Sequence, residues 1–400
     1  MTITDVKRLR LRNKADRRLR AGHVWIYSNE IDTRTTPLKN FEPGETVLVE
    51  NAAGKPMGTG YINPNNLICA RLVSRDSRYF LNRSLLIHRI NIALSLREYL
   101  FDTRCYRLVY GESDGLPGLV VDRYGDILVV QIATAGMENV RDAIVEALVE
   151  VIKPQGILLK NSGSARKLEG LSEYTEVAYG DVPEIVELVE NRVTFKVPVI
   201  NGQKTGWFYD HRLNRERLKH YVKGKRVLDV FSYIGGWGIQ AAAFGAESVT
   251  LVDASAQALD IADQNAALNH VQDKVSCIEG DAFAVLKTLR EEKQHFDVVI
   301  VDPPAFVKKR KDLKAGELAY RRINELAMTL LERDGYLVSC SCSMNMYRDN
   351  FLEQLRAGSR HIDRNLQIIE QGHQGPDHPI LPVIPETEYI KACIARITTP

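Results

Sequence analysis

The first 75 residues alternate apolar and polar positions in short runs that turn-forming residues separate. One run covers 45–50, a second ends at Ile62, and a third covers 67–73. Runs of this length between Gly, Pro and Asn clusters are typical of strands, and their succession predicts a small β-barrel. Beyond the barrel, apolar residues recur near a 3.6-residue period as far as about Phe101, which predicts a long connecting helix.

The middle of the chain combines strand and helix patterns. Apolar runs at 119–122 and 127–132 precede a helical pattern at 140–152, and the segment 157–159 is apolar again. This succession predicts a small α+β domain, within which no catalytic constellation is evident.

From about Val193 onward, continuous apolar strands alternate with helices. Such alternation predicts a mostly parallel sheet with helices on both faces. The closing segment 388–396 alternates as a strand does, and we expect it to join the sheet antiparallel. The predicted class is therefore α/β, in three parts: a barrel at 1–75, a connecting helix and α+β middle domain at 76–192, and a large α/β domain at 193–400.

The composition excludes several classes of protein. A hydrophobic fraction of 44% and a charged fraction of 26% are ordinary for a globular chain and argue against disorder. No apolar run approaches the length of a membrane span, and the first residues lack the apolar stretch of a secretory signal. Six cysteines at irregular spacing do not form a disulfide framework, which favours a reducing, cytoplasmic setting.

The net charge of +2 conceals two basic clusters. Between positions 7 and 20 there are eight Lys or Arg residues against the single acid Asp16, and a second cluster covers 308–311. Clusters of this density favour a nucleic-acid partner. A solvated surface is the alternative, and a transit peptide fits poorly because the run leads directly into a folded pattern at 23–27. The residues expected to contact RNA are Lys7, Arg8, Arg10, Arg12, Lys14, Lys308 and Lys309.

A glycine-rich turn after an apolar strand is the strongest single motif. The strand beginning at 226 carries Asp229 near its end and leads into Gly235, Gly236 and Gly238. In a doubly wound sheet this is where a nucleotide-like ligand lies. The glycines alone suit either a dinucleotide or S-adenosylmethionine. Asp229 favours the methyl donor over a dehydrogenase cofactor, because a carboxylate would crowd a pyrophosphate but suits the ammonium of a methionyl group.

Two further acids support the same cofactor. Asp253 ends the next strand, where an acid can bond both ribose hydroxyls, and Asp281 follows the strand after that, placed to meet the adenine amino group. Each acid taken singly could instead be a helix N-cap. Acids at the ends of three successive strands favour S-adenosylmethionine.

The chemical groups follow the last two parallel strands. Asp302 precedes Pro303 and Pro304, which fix the backbone and hold the carboxylate at the edge of the sheet. Cys340 falls on the next strand and is interpreted as core packing, whereas Cys342 falls where that strand should end. A thiol there could add to C6 of a pyrimidine and make C5 nucleophilic, with Asp302 activating N3. A metal site is not expected, because no other Cys/His pair offers tetrahedral partners.

Five segments together resemble the RlmI-type 23S rRNA (cytosine-C5)-methyltransferases. They are 111–118, 203–212, 229–236, 302–306 and 341–343, so that the resemblance covers nearly the whole chain. It implies a PUA-like RNA-binding barrel, a strand–strand–helix–strand–strand middle domain and a Rossmann-like class I methyltransferase domain. It also implies S-adenosylmethionine as cofactor, large-subunit rRNA as partner, and Cys342 and Asp302 as catalytic residues. The cofactor contacts implied beside Asp229, Asp253, Asp281 and Asp302 are Thr205, Gly206, Phe208, Asp210, Arg212, Phe231, Ser232, Gly235 and Ala282.

Two alternatives remain open at the level of sequence. The first is a base N-methyltransferase that uses Asp302 without a covalent adduct, against which Cys342 argues because a nitrogen nucleophile needs no thiol. The second is a non-catalytic RNA-binding assembly factor, against which the intact set of acids argues. The target nucleotide is undetermined, as is the oligomeric state, for which a homodimer is one alternative.

Overall fold

The computed structural model describes residues 6–400. The N-terminal part forms a five-stranded sheet in the order β1-β3-β4-β5-β2, around a core that includes Leu9, Ile26 and Val47. Strand β1 runs parallel to β3, and the other pairs are antiparallel. The three predicted strand runs are confirmed. The elements are β1 (Lys7–Arg10), α1 (Asp16–Arg20), β2 (Trp25–Tyr27), β3 (Glu45–Glu50), β4 (Pro56–Ile62) and β5 (Ile68–Ser74).

The middle domain contains a second five-stranded sheet, in the order β10-β9-β8-β7-β6. The predicted connecting helix is α2, and the predicted 140–152 helix is α4. The pattern predicts three of these strands and the family resemblance implies a fourth, whereas β6, which pairs with β7 at the edge of the sheet, is not predicted. The elements are α2 (Arg83–Leu100), β6 (Cys105–Tyr110), β7 (Leu119–Tyr124), β8 (Ile127–Ile132), α3 (Ala135–Glu138), α4 (Arg141–Ile152), β9 (Gly156–Asn161), α5 (Ser164–Leu168) and β10 (Tyr174–Gly180).

The barrel and the middle domain belong to one structural unit, made of residues 6–186, 198–207 and 376–387. The Tyr61 hydroxyl on β4 donates to the carbonyl of Pro117 at 2.6 Å, and the Tyr61 ring lies in the core of the middle domain. The Trp25 indole on β2 donates to Glu112 at 2.8 Å. Removing residues 1–75 would therefore open the middle core, so the role of the barrel is better tested by point substitutions.

The second unit, made of residues 187–197, 208–375 and 388–400, contains a seven-stranded sheet in the order β15-β14-β13-β16-β17-β19-β18. Five strands are parallel neighbours, and β19 is antiparallel to both strands beside it. This confirms the predicted α/β class with an antiparallel strand near its end. The elements are α6 (Arg212–Arg217), β13 (Arg226–Val230), α7 (Gly238–Ala243), β14 (Ser248–Asp253), α8 (Ala256–Leu268), β15 (Val275–Glu279), α9 (Ala282–Glu291), β16 (Phe296–Val301), α10 (Leu313–Thr329), β17 (Leu331–Ser341), α11 (Arg348–His361), β18 (Asn365–Gly372) and β19 (Lys391–Thr398), preceded by a hairpin of β11 (Ile185–Glu190) and β12 (Val193–Pro198).

The central strands are apolar on both faces, as parallel strands covered by helices must be. Leu228 and Val230 on β13 and Val299 and Val301 on β16 are fully buried in one core. Across residues 6–400, no helix combines the length and the apolar character that crossing a membrane requires.

Candidate active site

The predicted site residues of the second unit meet at one edge of its sheet. Asp229 lies in β13, Asp253 is the last residue of β14, Asp302 follows β16 directly, and Cys342 follows β17 directly. The carboxyl ends of parallel strands share an edge, which is where α/β proteins bind ligands. The structure thus brings together three carboxylates and a thiol that are dispersed over 114 positions of sequence.

Asp229 is fully buried, and one of its two carboxylate oxygens already accepts a hydrogen bond from the protein. Its Oδ2 accepts a hydrogen bond from the Gly238 amide at 2.8 Å, whereas Oδ1 has no hydrogen-bond partner among residues 6–400. A Cβ at position 238 would lie 2.2 Å from a Leu251 methyl and 3.1 Å from Asp229, so only glycine fits there. A buried carboxylate oxygen without a donor is costly, and a ligand ammonium would satisfy it.

The turn after β13 is held in a strained shape. Phe231 and Tyr233 have φ values of 66° and 50°, in the left-handed region that residues with side chains rarely occupy. The Phe231 and Ser232 amides both donate to the carbonyl of Val252 on β14, at 2.9 and 3.0 Å, and thereby maintain the turn. The hydroxyl of buried Ser232 has no hydrogen-bond partner in the described chain. Strain beside unsatisfied buried polar atoms is typical of a ligand-binding loop.

Asp253 and Asp281 differ in their local roles. The Asp253 carboxylate accepts the Tyr233 amide at 2.8 Å and the Ser255 amide at 2.9 Å. A carboxylate can accept about four hydrogen bonds, so capacity remains for the two ribose hydroxyls. Asp281 is exposed and caps α9 by accepting the Ala284 amide at 3.1 Å, while Ala282 is buried. The adenine contact of Asp281 stays a prediction beside this N-cap role.

The segment 203–212 belongs partly to each unit. In the first unit, the Tyr124 hydroxyl donates to the carbonyl of Thr205 at 3.1 Å, and Gly206 has a φ of +114°. In the second unit, the Asp210 carboxylate accepts the Tyr389 hydroxyl at 2.6 Å. The Phe208 ring packs edge-on against Tyr233, and Arg212 Nε lies 3.6 Å from Glu190. Their contacts with the cofactor stay predictions.

Asp302 lies against two aromatic side chains that the sequence did not single out. The Trp237 indole donates to Asp302 Oδ2 at 2.9 Å, and His211 Nε2 lies 3.5 Å from Oδ1. The Asn214 amide donates to His211 Nδ1 at 3.1 Å, so the neutral imidazole carries its proton on Nε2, the nitrogen nearer Asp302. The Trp237 indole orients the carboxylate, whereas His211 Nε2 has no hydrogen-bond partner among residues 6–400. Trp237 could have been noticed as the large residue between Gly236 and Gly238.

His211, Asp302 and Cys340 bring a nitrogen, an oxygen and a sulfur within 4.8 Å of one another, a trio that the sequence analysis did not anticipate. Metal coordination by His211 would require Nε2 to lose its proton, against the tautomer that Asn214 favours. The expectation that no metal binds stays a prediction.

The two cysteines of the Ser-Cys-Ser region lie in contrasting environments. Cys340 is fully buried on β17, and burial raises the pKa of its thiol well above the usual value, so it stays protonated and unreactive. Cys342 is half-buried, and its Sγ lies 3.8 Å from the carbonyl oxygen of Pro303, next to Asp302. The burial of Cys340 agrees with its interpretation as core packing, and the reactive role of Cys342 stays a prediction.

The predicted RNA contacts are also placed unequally. On the barrel, Lys7 pairs with Glu45 at 2.9 Å, and both Arg8 and Arg10 pair with the buried Glu50, at 3.1 and 2.8 Å. The Arg12 guanidinium donates to the carbonyl of Ile31, and Lys14 is exposed. Lys308 and Lys309 are exposed six and seven residues after Asp302, beside the candidate site.

The cofactor-free protein should lose stability as Asp229 ionises. Burial, with repulsion from Asp302 and Asp253, raises the pKa of Asp229 to about 8. Since an unfolded aspartate titrates near pH 4, the folded chain binds the extra proton between about pH 4 and 8, and the free energy of unfolding falls there as pH rises. The slope from this group is at most about 1.4 kcal/mol per pH unit.

Asp229→Asn is the matched variant for that measurement, because it keeps an acceptor for Gly238 but cannot ionise. Chemical unfolding of both proteins is measured across pH 5–9. As pH rises, the free energy of unfolding of the variant should increase relative to that of the parent. If the free energies of unfolding of the two proteins changed with pH in parallel, the raised pKa of Asp229 would be contradicted.

Comparisons with known proteins agree with this geometry. Residues 171–392 match the family model of S-adenosylmethionine-dependent methyltransferases, and residues 9–75 match a PUA-like domain. A relative named ribosomal RNA large subunit methyltransferase I from Aliivibrio fischeri is 38% identical over 96% of this chain and 97% of its own. Its namesake from Shewanella denitrificans is 36% identical over 98% and 99%.

Two solved structures share the fold. One is described as a methyltransferase complexed with SAH, with a TM-score of 0.84 at 22% identity over 98% of this chain and all of the other. The second, a SAM-dependent methyltransferase from Streptococcus mutans, has a TM-score of 0.83 at 22% identity and the same coverage. On the evidence of its relatives and of the matching family model, this chain is an S-adenosylmethionine-dependent methyltransferase that belongs to the ribosomal RNA large subunit methyltransferase I family.

Proposed function

We propose that this enzyme methylates C5 of a cytosine in large-subunit ribosomal RNA through a covalent bond between Cys342 and C6 of the base. The observation that carries the proposal is the placement of the Cys342 thiol beside the Asp302–Pro303 backbone, at the edge where the cofactor acids converge. The names of the full-length relatives support ribosomal RNA as the substrate. A reaction on ribosomal RNA would take place in the cytoplasm.

In the proposed reaction, the Cys342 thiolate adds to C6, and the electrons of the C5–C6 double bond move to C5. In its protonated form, Asp302 assists by donating a hydrogen bond or its proton to N3, which makes the ring accept the thiolate. A transferred proton returns to Asp302 when the adduct breaks down. S-adenosylmethionine supplies the methyl group from its sulfonium to C5. Loss of the C5 proton to a base then expels the Cys342 thiolate and restores the aromatic ring.

The cofactor is held by the acids on the neighbouring strands. Asp229 Oδ1 would receive the ammonium of the methionyl group, and Asp253 would accept the ribose hydroxyls while the Tyr233 and Ser255 amides keep it in place. The turn at 231–235 is held by the Phe231 and Ser232 amides, which donate to the carbonyl of Val252, and a preformed turn reduces the entropic cost of binding. Asp302 lies between this cofactor site and Cys342, in keeping with its proposed action on the base.

The RNA is proposed to reach the site along the exposed cluster that contains Lys308 and Lys309. Because Lys7, Arg8 and Arg10 already pair with carboxylates, their net contribution to phosphate binding is reduced. Lys308 and Lys309 have no such pairing among the described ion pairs and lie on the same segment as Asp302.

Lys308→Glu combined with Lys309→Glu should weaken binding to rRNA fragments and reduce the salt slope of log K by about two, one for each lost phosphate contact. The matched control is Lys7→Glu with Arg8→Glu on the barrel, where a smaller change in slope is expected. Affinity for S-adenosylmethionine should be unchanged in both. Equal salt slopes in the Lys308/Lys309 variant and the parent would remove this surface from the proposal.

The proposed function is tested by mass mapping of ribosomal RNA from cells with and without the gene. One cytosine of the large-subunit RNA should lose a methyl group on deletion and regain it on complementation with the parent protein but not with Cys342→Ala. A methyl group lost from a ring or exocyclic nitrogen instead would overturn the C5 assignment.

A further inference from the structure

Lys391 is a buried lysine at the start of β19, directly opposite Ser341, the last residue of β17. Its side chain points into the protein, where Nζ donates to the carbonyl of Ser343 at 2.5 Å and to the carbonyl of Tyr389 at 2.8 Å. A buried ammonium is costly unless it is well bonded, so two carbonyl acceptors justify its presence. Burial lowers its pKa to about 8, which leaves it mostly protonated at neutral pH.

The loop that carries Cys342 is fixed from the other side by α10. The Tyr320 hydroxyl lies 2.9 Å from both Ser341 Oγ and Ser343 Oγ, and the Val307 amide donates to Ser343 Oγ at 3.1 Å. Both serines that flank Cys342 in the chain are therefore held by hydrogen bonds. On the β19 side, Lys391 donates a hydrogen bond to the main-chain carbonyl of Ser343 and so holds the same loop.

Lys391 also interacts electrostatically with Cys342. Interaction with Cys342 raises the pKa of Lys391 against the effects of burial and of Arg348, and Glu388 acts in the same direction as Cys342. Such an interaction is reciprocal, so the ammonium favours the thiolate.

Two titratable groups next to the loop remain neutral. Burial raises the pKa of Tyr320 to about 12 and raises the pKa of Cys340 well above its usual value. Lys391 is a buried cation that is hydrogen-bonded to the loop that carries Cys342.

We propose that Lys391 is a positioning residue for methyl transfer, whose ammonium fixes the Ser341–Ser343 loop and stabilises the Cys342 thiolate. The proposal rests on the nucleophilic role proposed for Cys342. An unperturbed cysteine is only a few per cent thiolate at neutral pH, so a nearby buried cation would increase the reactive fraction. The thiol proton passes to solvent before the thiolate adds to the base, and the thiolate is recovered when the product is released.

The test measures the pH dependence of Cys342 alkylation by iodoacetamide in the full-length protein, by mass spectrometry of the peptide that contains it. A Cys340→Ala background removes the second thiol from that peptide. Lys391→Met and Lys391→Gln should raise the apparent pKa of Cys342 by about one unit, and slow alkylation about tenfold at pH 7, because both remove the charge. Lys391→Arg, which keeps the charge, should stay near the parent.

Lys160 offers a matched control in the other unit. Its Nζ also donates to two carbonyls, those of Val199 and Gly202, at 2.7 and 2.6 Å, and burial also lowers its pKa to about 8. Lys160→Met therefore removes a similar buried ammonium and should leave the apparent pKa of Cys342 unchanged.

An unchanged apparent pKa in Lys391→Gln would overturn the proposal, since that variant keeps a donor for Ser343 but has no charge. If neither neutral variant folds, the parent is alkylated folded and in urea. A lower apparent pKa in the folded protein supports the proposal, and an equal or higher one overturns it. Alkylation needs no methyl transfer, so activity retained by Cys342→Ala would refute the proposed function without affecting this result.

Discussion

Cys342→Ala is expected to abolish methyl transfer, with a loss of more than about a thousandfold, because the proposed bond to C6, which makes C5 nucleophilic, is formed by this thiol. Cofactor binding should be unchanged, since Asp229 and Asp253 lie on other strands. Incorporation of labelled methyl groups into rRNA measures the first effect, and calorimetry with S-adenosylmethionine measures the second.

Cys340→Ala is the matched control, two residues away on the same strand. Cys340 is fully buried and its thiol stays protonated, so this variant should keep most of its activity and lose only some packing stability. RNA containing 5-fluorocytosine should trap a covalent complex with the parent, because fluorine prevents loss of the C5 proton. An adduct through Cys340 would refute the site assignment, and an active enzyme that forms no adduct would refute the C5 mechanism.

In the second unit, the strands predicted from the sequence agree closely with those of the structure. The predicted strand beginning at 226 coincides with β13, because buried parallel strands are apolar and stand out from their surroundings. The edge strand β18 was missed, since its residues alternate between partly buried and exposed positions and carry no continuous apolar signal. Strand β6 was missed at the edge of the middle sheet.

The position of the acids and of the proposed nucleophile could be predicted because strand ends locate them. Parallel strands deliver Asp229, Asp253, Asp302 and Cys342 to one edge whatever the lengths of the connections between them. The supporting groups were not predictable in this way. Lys391 reaches Ser343 only because β19 inserts antiparallel between β17 and β18, a pairing that sequence spacing does not specify.

In the barrel, the sequence shows the basic residues but not the acids that pair with them. A run of basic residues predicts an available positive surface only if acids do not fold against it. Glu50, at the end of β3, is buried between Arg8 and Arg10 because β1 pairs with β3 in parallel register. Linear charge density does not show these ion pairs, whereas the Lys308–Lys309 pair is exposed; the RNA contacts of both clusters stay predictions.

Asp302→Asn should reduce methyl transfer by about 10²–10⁴-fold, the range typical of losing a general acid or base. The asparagine can still accept the Trp237 indole, so the local fold should persist, but it cannot deliver a proton to N3 of the cytosine. S-adenosylmethionine affinity should change little compared with the loss of rate. The rate of the first turnover, measured with saturating cofactor and RNA, separates the chemical step from binding.

The combination of the two variants distinguishes the C5 mechanism from methylation of a nitrogen. If C5 is the target, Cys342→Ala and Asp302→Asn should both be severely impaired, and the 5-fluorocytosine complex should form more slowly in Asp302→Asn because activation of the base precedes thiolate addition. If a nitrogen is the target, Asp302→Asn alone should lose activity. Trp237→Phe is the matched control for Asp302: it removes one hydrogen bond while keeping the carboxylate, and a loss about tenfold or smaller is expected. A Trp237→Phe defect as large as that of Asp302→Asn would mean that the orientation of the carboxylate matters as much as its proton.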